Sequence, residues 1–251
     1  MSASANARKI FIIPGGPGLS SLTLRDLDLL SRSFELIYVD LQGTNGSSYK
    51  DKQTFSEISS SLAETIKKES GEKFVLGHSF GGFFASEMLL REVVSGLICI
   101  STPFSKAALT SANENYSANK SPSLIEAETL WSEKQDNFSF ANWLSEYGTL
   151  YFKKSKGKEI LLNDKVSSAF FKDNRSDVLD KESILLSLSK FDGVKIFIAG
   201  QDDRLLSSNI LKNDSQVGKF DFFEIEDASH FVTVDQPAKV AGVIESKLLR
   251  S

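Results

Sequence analysis

The sequence predicts one α/β domain built on a mostly parallel sheet, with a helical segment inserted before the last strands. Its 251 residues are enough to bury a full core in a single domain. Short runs of β-branched and aromatic residues alternate with amphipathic segments of helical length, which is typical of βα units. This alternation stops between Thr102 and Asp192, a stretch far longer than an ordinary connection in such a domain.

Six apolar runs are the predicted strands: 9–14, 34–40, 73–77, 96–101, 194–200 and 219–225. Helices are expected near 21–31, 54–70, 80–91, 206–213 and 236–249. The strand candidates are largely continuous apolar runs rather than alternating ones, which indicates strands covered by helices on both faces. We therefore expect a six-stranded central sheet flanked by helices.

The interruption predicts a division into a core domain, residues 1–103 and 190–251, and a helical cap over residues 104–189. The cap region holds both tryptophans, Trp131 and Trp143, and its apolar residues recur at helical spacing. Its first part, residues 110–123, is polar and expected to be mobile.

Composition excludes several classes of function. The net charge is −4 with no basic block, which argues against a nucleic-acid partner. The single cysteine, Cys99, lies in the apolar run GLICIS, so neither a disulfide framework nor a zinc cluster is expected. No segment is long and apolar enough for a signal peptide or a membrane span, so the sequence predicts a cytoplasmic protein. Nothing in the sequence indicates the oligomeric state.

The strongest chemical signal is Gly77-His78-Ser79-Phe80-Gly81, which fits the pattern G-x-S-x-G between a predicted strand and a predicted helix. A serine on so tight a turn adopts a strained backbone, and neighbouring glycines let the chain pass close to it. The turn exposes the Ser79 hydroxyl beside the N-terminus of the next helix. Ser79 is therefore a candidate nucleophile.

A serine hydroxyl needs a base and a residue that orients the base. Of the two histidines, His78 adjoins the serine, which leaves His230, between the last strand and the last helix, as the base. The acid is expected after the fifth strand, where Asp202 and Asp203 stand; we favour Asp203 and keep Asp202 as the alternative. The chain order Ser79, Asp203, His230 is that of the α/β-hydrolase fold.

With these residues in place, the chain resembles an α/β-hydrolase fold protein over essentially its whole length. The segment IIPGGPG (12–18) resembles the HGGPG oxyanion loop of the proline iminopeptidase group, with Pro14 at the usual histidine, and 38–48 partly resembles that group's DQRGxGxS. The turn around Ser79, GHSFGG (77–82), resembles the nucleophile turn of esterase and lipase-like members more closely than that of the iminopeptidases. The resemblance implies Gly16 and Phe80 as the backbone donors of an oxyanion hole. The first predicted strand already leads into the glycine loop, so the N-terminal hairpin usual in this fold is expected to be missing.

These observations predict a serine hydrolase that cleaves a small carboxylic ester or amide through an acyl-enzyme, without cofactor or metal. The expected partner is a small-molecule or short peptide substrate. One alternative is an aminopeptidase like the proline iminopeptidases, which by resemblance would hold the substrate amine with cap glutamates: Glu126, Glu128, Glu133 and Glu146 are available. Another is a ligand-binding protein that keeps the pocket without the chemistry. The cap aromatics are more often packing residues than substrate contacts: Trp131, Phe138, Phe140, Trp143, Tyr147, Tyr151 and Phe152.

Overall fold

The computed structural model describes residues 8–178 and 181–249. Residues 1–7 of the predicted core domain, residues 179 and 180 of the predicted cap, and residues 250 and 251 lie outside the described part.

The centre of the molecule is a six-stranded sheet. Its strands are β1 (Lys9–Ile13), β2 (Glu35–Tyr38), β3 (Lys73–His78), β4 (Gly96–Ile100), β5 (Val194–Gly200) and β6 (Asp221–Ile225). Their order across the sheet is β2-β1-β3-β4-β5-β6, and each neighbouring pair runs parallel. All six predicted strands are thereby confirmed, because buried parallel strands need uninterrupted apolar sequence and these runs supply it.

The helices follow the predicted positions closely outside the insertion. They are α1 (Phe55–Lys67), α2 (Gly81–Leu90), α3 (Lys106–Ala118), α4 (Pro122–Lys134), α5 (Asn137–Ser145), α6 (Lys156–Leu162), α7 (Ser168–Asn174), α8 (Glu182–Leu188), α9 (Ser208–Val217), α10 (Val232–Asp235) and α11 (Pro237–Leu248). Within the described residues, every helix falls short of the length and apolarity that a membrane crossing requires.

The first predicted helix, 21–31, is a 3₁₀ helix over Ser21–Arg32. Leu24, Leu27 and Leu30 are its fully buried leucines, and they recur every three residues. A 3₁₀ helix has three residues per turn, so this spacing places all three on the face that packs against the sheet.

Helices cover both faces of the sheet. Phe11 and Ile13 point to the face that packs on α1, α2, α8 and α9, whereas Ile10 and Ile12 point to the face covered by the 3₁₀ helix and α11. Alternate residues of β1 thus belong to different core clusters, which follows from the two-residue period of a strand. Because helices cover both faces of the sheet, residues that bind or react with a ligand are expected at the ends of its strands.

Helices α3 to α8 lie between β4 and β5, in the region that breaks the strand–helix alternation. Apolar residues of α8 belong to the core on the sheet, whereas those of α4, α5 and α6 form a third cluster with Leu19, Phe231 and Val234 of the remaining chain. Trp131 and Trp143 stack at its centre, with ring centroids 4.6 Å apart and planes 3° apart.

The stretch 110–123, expected to be mobile, forms most of α3 and the start of α4. Ser105 and Ser121 cap these two helices with their side-chain oxygens. The polar residues of this stretch lie on the solvent side of a regular helix, which composition alone does not distinguish from a loop.

His78, the last residue of β3, is fully buried and joins the sheet to a distant loop. Its Nε2 lies 3.1 Å from the His230 carbonyl oxygen, which only accepts, so Nε2 carries the proton and donates it. Nδ1 is buried, and no described residue offers it a hydrogen-bond partner. Burial, assisted by the neighbouring His230, lowers the pKa of His78 from 6.5 to about 3. His78 therefore remains neutral in the folded protein at any ordinary pH.

This buried histidine predicts a specific acid sensitivity. Between pH 6.5 and about 3 the unfolded chain binds a proton at His78 that the folded protein does not bind. The free energy of unfolding should therefore fall as pH is lowered, by up to about 1.4 kcal/mol per pH unit from this group. His78→Gln, whose amide still donates, should reduce the change of this free energy with pH. Urea denaturation at a series of pH values in this range measures the free energy of unfolding of both proteins. An equal change with pH in the two proteins would contradict the assignment.

Candidate active site

All the sequence-predicted site residues lie at the carboxyl edge of the sheet. The chain leaves β1 in one direction and β3 in the other, since β2 and β4 lie on opposite sides of this pair. Such a switch in direction opens a crevice outside the strand ends, where parallel α/β sheets bind their ligands. Gly16 follows β1, Ser79 follows β3 and Asp203 follows β5, while His230 lies between β6 and α10.

Ser79 occupies a strained turn between β3 and α2. Its φ is +50°, a left-handed conformation that is uncommon for a residue with a side chain. The Ser79 N–H donates to the carbonyl of Ile100 at 2.7 Å, and its own carbonyl accepts from Gly82 N–H at 3.0 Å. A Cβ at Gly77 would overlap the backbone of Gly81, so the turn is possible only with glycine there.

His230 and Asp203 are brought together in a buried bond. His230 Nδ1 lies 2.9 Å from Asp203 Oδ2, and neither side chain is more than 2% exposed. The carboxylate accepts, so Nδ1 carries the proton, and the other ring nitrogen, Nε2, is the one that can accept a proton. Asp203 Oδ1 also accepts from the N–H groups of Leu205 and Leu206, at 2.9 and 2.8 Å. The same carboxylate therefore fixes its own loop and the imidazole.

Asp202, the alternative acid, lies elsewhere. Its carboxylate accepts from Lys153 Nζ at 2.7 Å, and its side chain is 45% exposed. The two adjacent aspartates are thus separated by environment, one buried against an imidazole and one in a surface ion pair.

His78 brings the turn of Ser79 and the loop of His230 side by side. The two histidine rings have centroids 5.2 Å apart, and the His78 ring bonds to the His230 carbonyl. Gly15 closes the arrangement from the β1 side: a Cβ at this position would lie 2.9 Å from His78 Nδ1 and 3.1 Å from Ser79 Cβ. Only a glycine allows the loop after β1 to approach Ser79 this closely.

The two candidate oxyanion donors lie in the loops that meet here. Within residues 8–178 and 181–249, neither the Gly16 nor the Phe80 backbone N–H donates a hydrogen bond. Phe80 is the first residue of the turn into α2, where backbone N–H groups lack helical partners. Both donors are therefore available to an incoming oxygen atom.

The insertion holds the glycine loop from the other side. Ser167 N–H donates to the Gly18 carbonyl at 2.8 Å. Asp164 accepts from the Ser20 N–H at 3.0 Å and from the Ser20 hydroxyl. Burial raises the pKa of Asp164 to about 6. Sequence reasoning did not single out Asp164, since an isolated aspartate in a helical region carries no local signal.

The aromatic residues of the insertion pack mainly against one another, as predicted. Trp131, Phe140, Trp143, Tyr151 and Phe152 are buried, whereas Phe138 is 78% exposed. Tyr151 alone among them stacks on a candidate site residue: its ring lies 5.3 Å from that of His230, with 19° between the planes. Burial raises the pKa of the Tyr151 hydroxyl above its usual range, so the ring faces His230 as a neutral phenol.

Of the four glutamates considered for an amine site, two are partly buried and paired with lysines, and two are exposed. Glu128 pairs with Lys120 at 2.5 Å and Glu146 pairs with Lys158 at 2.5 Å. Glu126 and Glu133 are exposed. The two partly buried carboxylates are thus already neutralised by lysines.

A cavity of about 390 Å³ lies beside the acid. It is lined by Phe152, Lys153, Gln201, Asp202, Asp203 and Arg204. Neither Ser79 nor His230 is among these lining residues. Among the described residues, no group of histidine, cysteine and acidic side chains is arranged to hold a metal ion.

Solved structures share this fold over nearly the whole chain. An esterase from Exiguobacterium antarcticum is 18% identical, covering 98% of this chain and 93% of its own, with a TM-score of 0.71. A thermophilic esterase from Thermogutta terrifontis is also 18% identical, covering 98% and 90%, with a TM-score of 0.69. A proline iminopeptidase from Mycobacterium smegmatis is 14% identical, covering 99% and 91%, with a TM-score of 0.68. At these identities the likeness concerns the fold.

No curated protein matches the chain. A family model does: residues 10–243 match the model described as "Alpha/beta hydrolase family". That span runs from β1 into α11 and includes the turn of Ser79 and the loops of Asp203 and His230. The chain therefore belongs to the alpha/beta hydrolase family, and by that membership it is a hydrolase enzyme.

Proposed function

We propose that this enzyme is a serine hydrolase that cleaves a small carboxylic ester or amide, with Ser79 as nucleophile, His230 as base and Asp203 as orienting acid. The observation that carries the proposal is the buried bond between His230 Nδ1 and Asp203 Oδ2. It leaves Nε2 of the imidazole as the proton acceptor, at the same sheet edge as a serine in a strained turn.

The reaction begins when the Ser79 hydroxyl attacks the carbonyl carbon of the substrate and His230 Nε2 takes the hydroxyl proton. Asp203 holds the imidazole in the required tautomer and stabilises the imidazolium that forms. The negative charge on the former carbonyl oxygen is stabilised by the N–H groups of Gly16 and Phe80 and by the N-terminus of α2.

Collapse of this intermediate breaks the bond to the alcohol or amine, which leaves with the proton from His230. The acyl group is then bound to Ser79 Oγ as an ester. His230 removes a proton from water, the resulting hydroxide attacks the acyl carbon, and the acid product leaves as Ser79 recovers its proton. No cofactor or metal enters these steps.

The insertion is proposed as the cap of this site, over residues 104–189. Its contacts to the glycine loop through Asp164 and Ser167, and the stacking of Tyr151 on His230, support that role. The substrate is proposed to be a small molecule or a short peptide that fits between the cap and the sheet edge. The esterases among the similar structures are consistent with an ester substrate.

The first prediction concerns the nucleophile. Wild-type protein should form a single covalent adduct with a small fluorophosphonate, read by intact mass, and Ser79→Ala should form none while keeping its fold. Ser101→Ala is the matched control, because Ser101 also has a positive φ, +49°, at the end of the neighbouring strand β4. It should label like wild type. Absence of an adduct on folded wild type would contradict the assignment of Ser79 as nucleophile.

The second prediction separates the two aspartates. Asp203→Asn should lower kcat by about 10⁴-fold, because the amide holds the wrong imidazole tautomer. Asp202→Asn removes only a surface ion pair with Lys153 and should leave kcat close to wild type. Steady-state kinetics on a chromogenic acetate ester measure both. The reverse ranking would reassign the acid.

The third prediction addresses the aminopeptidase alternative. Because Glu128 and Glu146 already pair with lysines, no glutamate among the described cap residues is both buried and unpaired. Matched amino-acid esters with a free and with an acetylated amine should therefore give similar kcat/KM. A large preference for the free amine, lost on replacing one of the cap glutamates with glutamine, would establish the aminopeptidase.

A further inference from the structure

The loop of His230 is bonded directly to the insertion through one carbonyl. The Tyr151 carbonyl accepts from the Phe231 N–H at 3.0 Å, and the Ser229 hydroxyl lies 2.6 Å from it. The residues on both sides of His230 are thereby attached to the same oxygen atom. The backbone of His230 cannot shift without breaking bonds to Tyr151.

Asp235 also bonds to both segments, the loop of His230 and the insertion after Tyr151. It lies in α10, fully buried, and its carboxylate accepts from the Ser229 N–H at 2.9 Å. On the insertion side it accepts from the N–H of Lys153, at 3.2 and 3.3 Å, and from that of Lys154, at 3.3 Å. The Ser229 hydroxyl is 2.5 Å from Asp235 Oδ2. A buried carboxylate is stable only when it is bonded this fully.

The Ser229 hydroxyl lies between two acceptors, Asp235 Oδ2 and the Tyr151 carbonyl, and its single proton bonds to one of them at a time. It therefore links the carboxylate to the carbonyl. The Lys154 ammonium adds a further bond to the Asp235 carbonyl. This arrangement fixes residues 151–154 against the loop 229–231.

The consequence of this arrangement is the position of the Tyr151 ring. The Tyr151 ring stacks on the His230 imidazole, with ring centroids 5.3 Å apart. The Tyr147 ring stacks on the Tyr151 ring, with centroids 4.4 Å apart and 23° between the planes. The Asp203 bond holds the edge of the imidazole at Nδ1, and Tyr151 covers a face. An aromatic face next to the imidazole also favours the imidazolium that forms during the reaction.

We propose that Asp235 is a positioning residue of the base. It fixes the loop of His230 to residues 151–154 and thereby holds the Tyr151 ring on the imidazole while Asp203 holds its edge. This inference rests on the proposed function, in which His230 is the base. Asp235 touches neither the substrate nor the reacting atoms, and it acts through Ser229 and Tyr151.

The test compares Asp235→Asn with Asp214→Asn. Asp214 is a matched control: it is 4% exposed and accepts from the N–H groups of Phe104 and Ser105 at 3.1 and 3.0 Å, which ties α9 to the chain after β4. Both oxygens of Asp235 accept from backbone N–H groups, so in Asp235→Asn the amide NH₂ faces a donor in either orientation. Asp214 accepts both of its N–H groups through Oδ2, and in Asp214→Asn one acceptor oxygen of the carboxylate is likewise replaced by NH₂. Both variants should be less stable than wild type.

The two variants should differ at the site. Asp235→Asn should lower kcat about 10- to 100-fold with KM changed little, because displacement of a catalytic group by about 1 Å has that effect. It should also broaden or remove the downfield ¹H NMR signal of the His230 Nδ1–H that is shared with Asp203. The spectrum of His78→Gln identifies which imidazole signal belongs to His230. Asp214→Asn should retain both kcat and the signal.

Several results would overturn the proposal. One is a folded Asp235→Asn protein with wild-type kcat and an unchanged Nδ1–H signal, and another is an equal loss of kcat in both variants. If Asp235→Asn does not fold, Ser229→Ala removes only the linking hydroxyl and should lower kcat and broaden the signal in the same direction; no effect there would equally reject the proposal. The NMR signal does not require turnover. A protein without fluorophosphonate labelling would refute the proposed function, while the signal would still report whether Asp235 positions His230.

Discussion

The site depends on the close approach of three segments at the carboxyl edge of the sheet: the glycine loop after β1, the turn of Ser79 and the loop of His230. Gly15 lies against His78 and Ser79, and Gly81 lies against the carbonyls that end β1. Side chains at these positions would separate the glycine loop from the turn of Ser79. The distance between the candidate nucleophile and the candidate donors at Gly16 and Phe80 is thus set by backbone packing, which gives a rigid arrangement before any substrate arrives.

The sheet and the order of the site residues could be predicted because both depend on local sequence. Continuous apolar runs identify buried parallel strands, and the positions of Ser79, Asp203 and His230 relative to those strands follow from the topology. Asp203 and Asp202 are adjacent, and the bond of Asp203 to His230 favours Asp203 as the acid. Its role in catalysis stays a prediction.

Other features could not be predicted, because they arise from contacts between residues distant in the chain. Tyr151 meets the loop of His230 from 78 residues away, and Asp235 reaches Lys153 across 82 residues. Nothing in the sequence near either residue distinguishes it from an ordinary packing aromatic or a helix-end carboxylate. Helix α3 could not be predicted for a different reason: a helix that is exposed on most of its surface has the same composition as a mobile loop.

The bonds that attach the loop of His230 to the insertion reach mainly main-chain atoms: the carbonyl of Tyr151 and the N–H groups of Lys153 and Lys154. Every residue type offers the carbonyl, and every type except proline offers the N–H. The attachment consequently constrains the path of the insertion and leaves most of its side chains free to change. A lineage of such proteins could diversify what its insertion recognises while the support of the histidine loop persists unaltered.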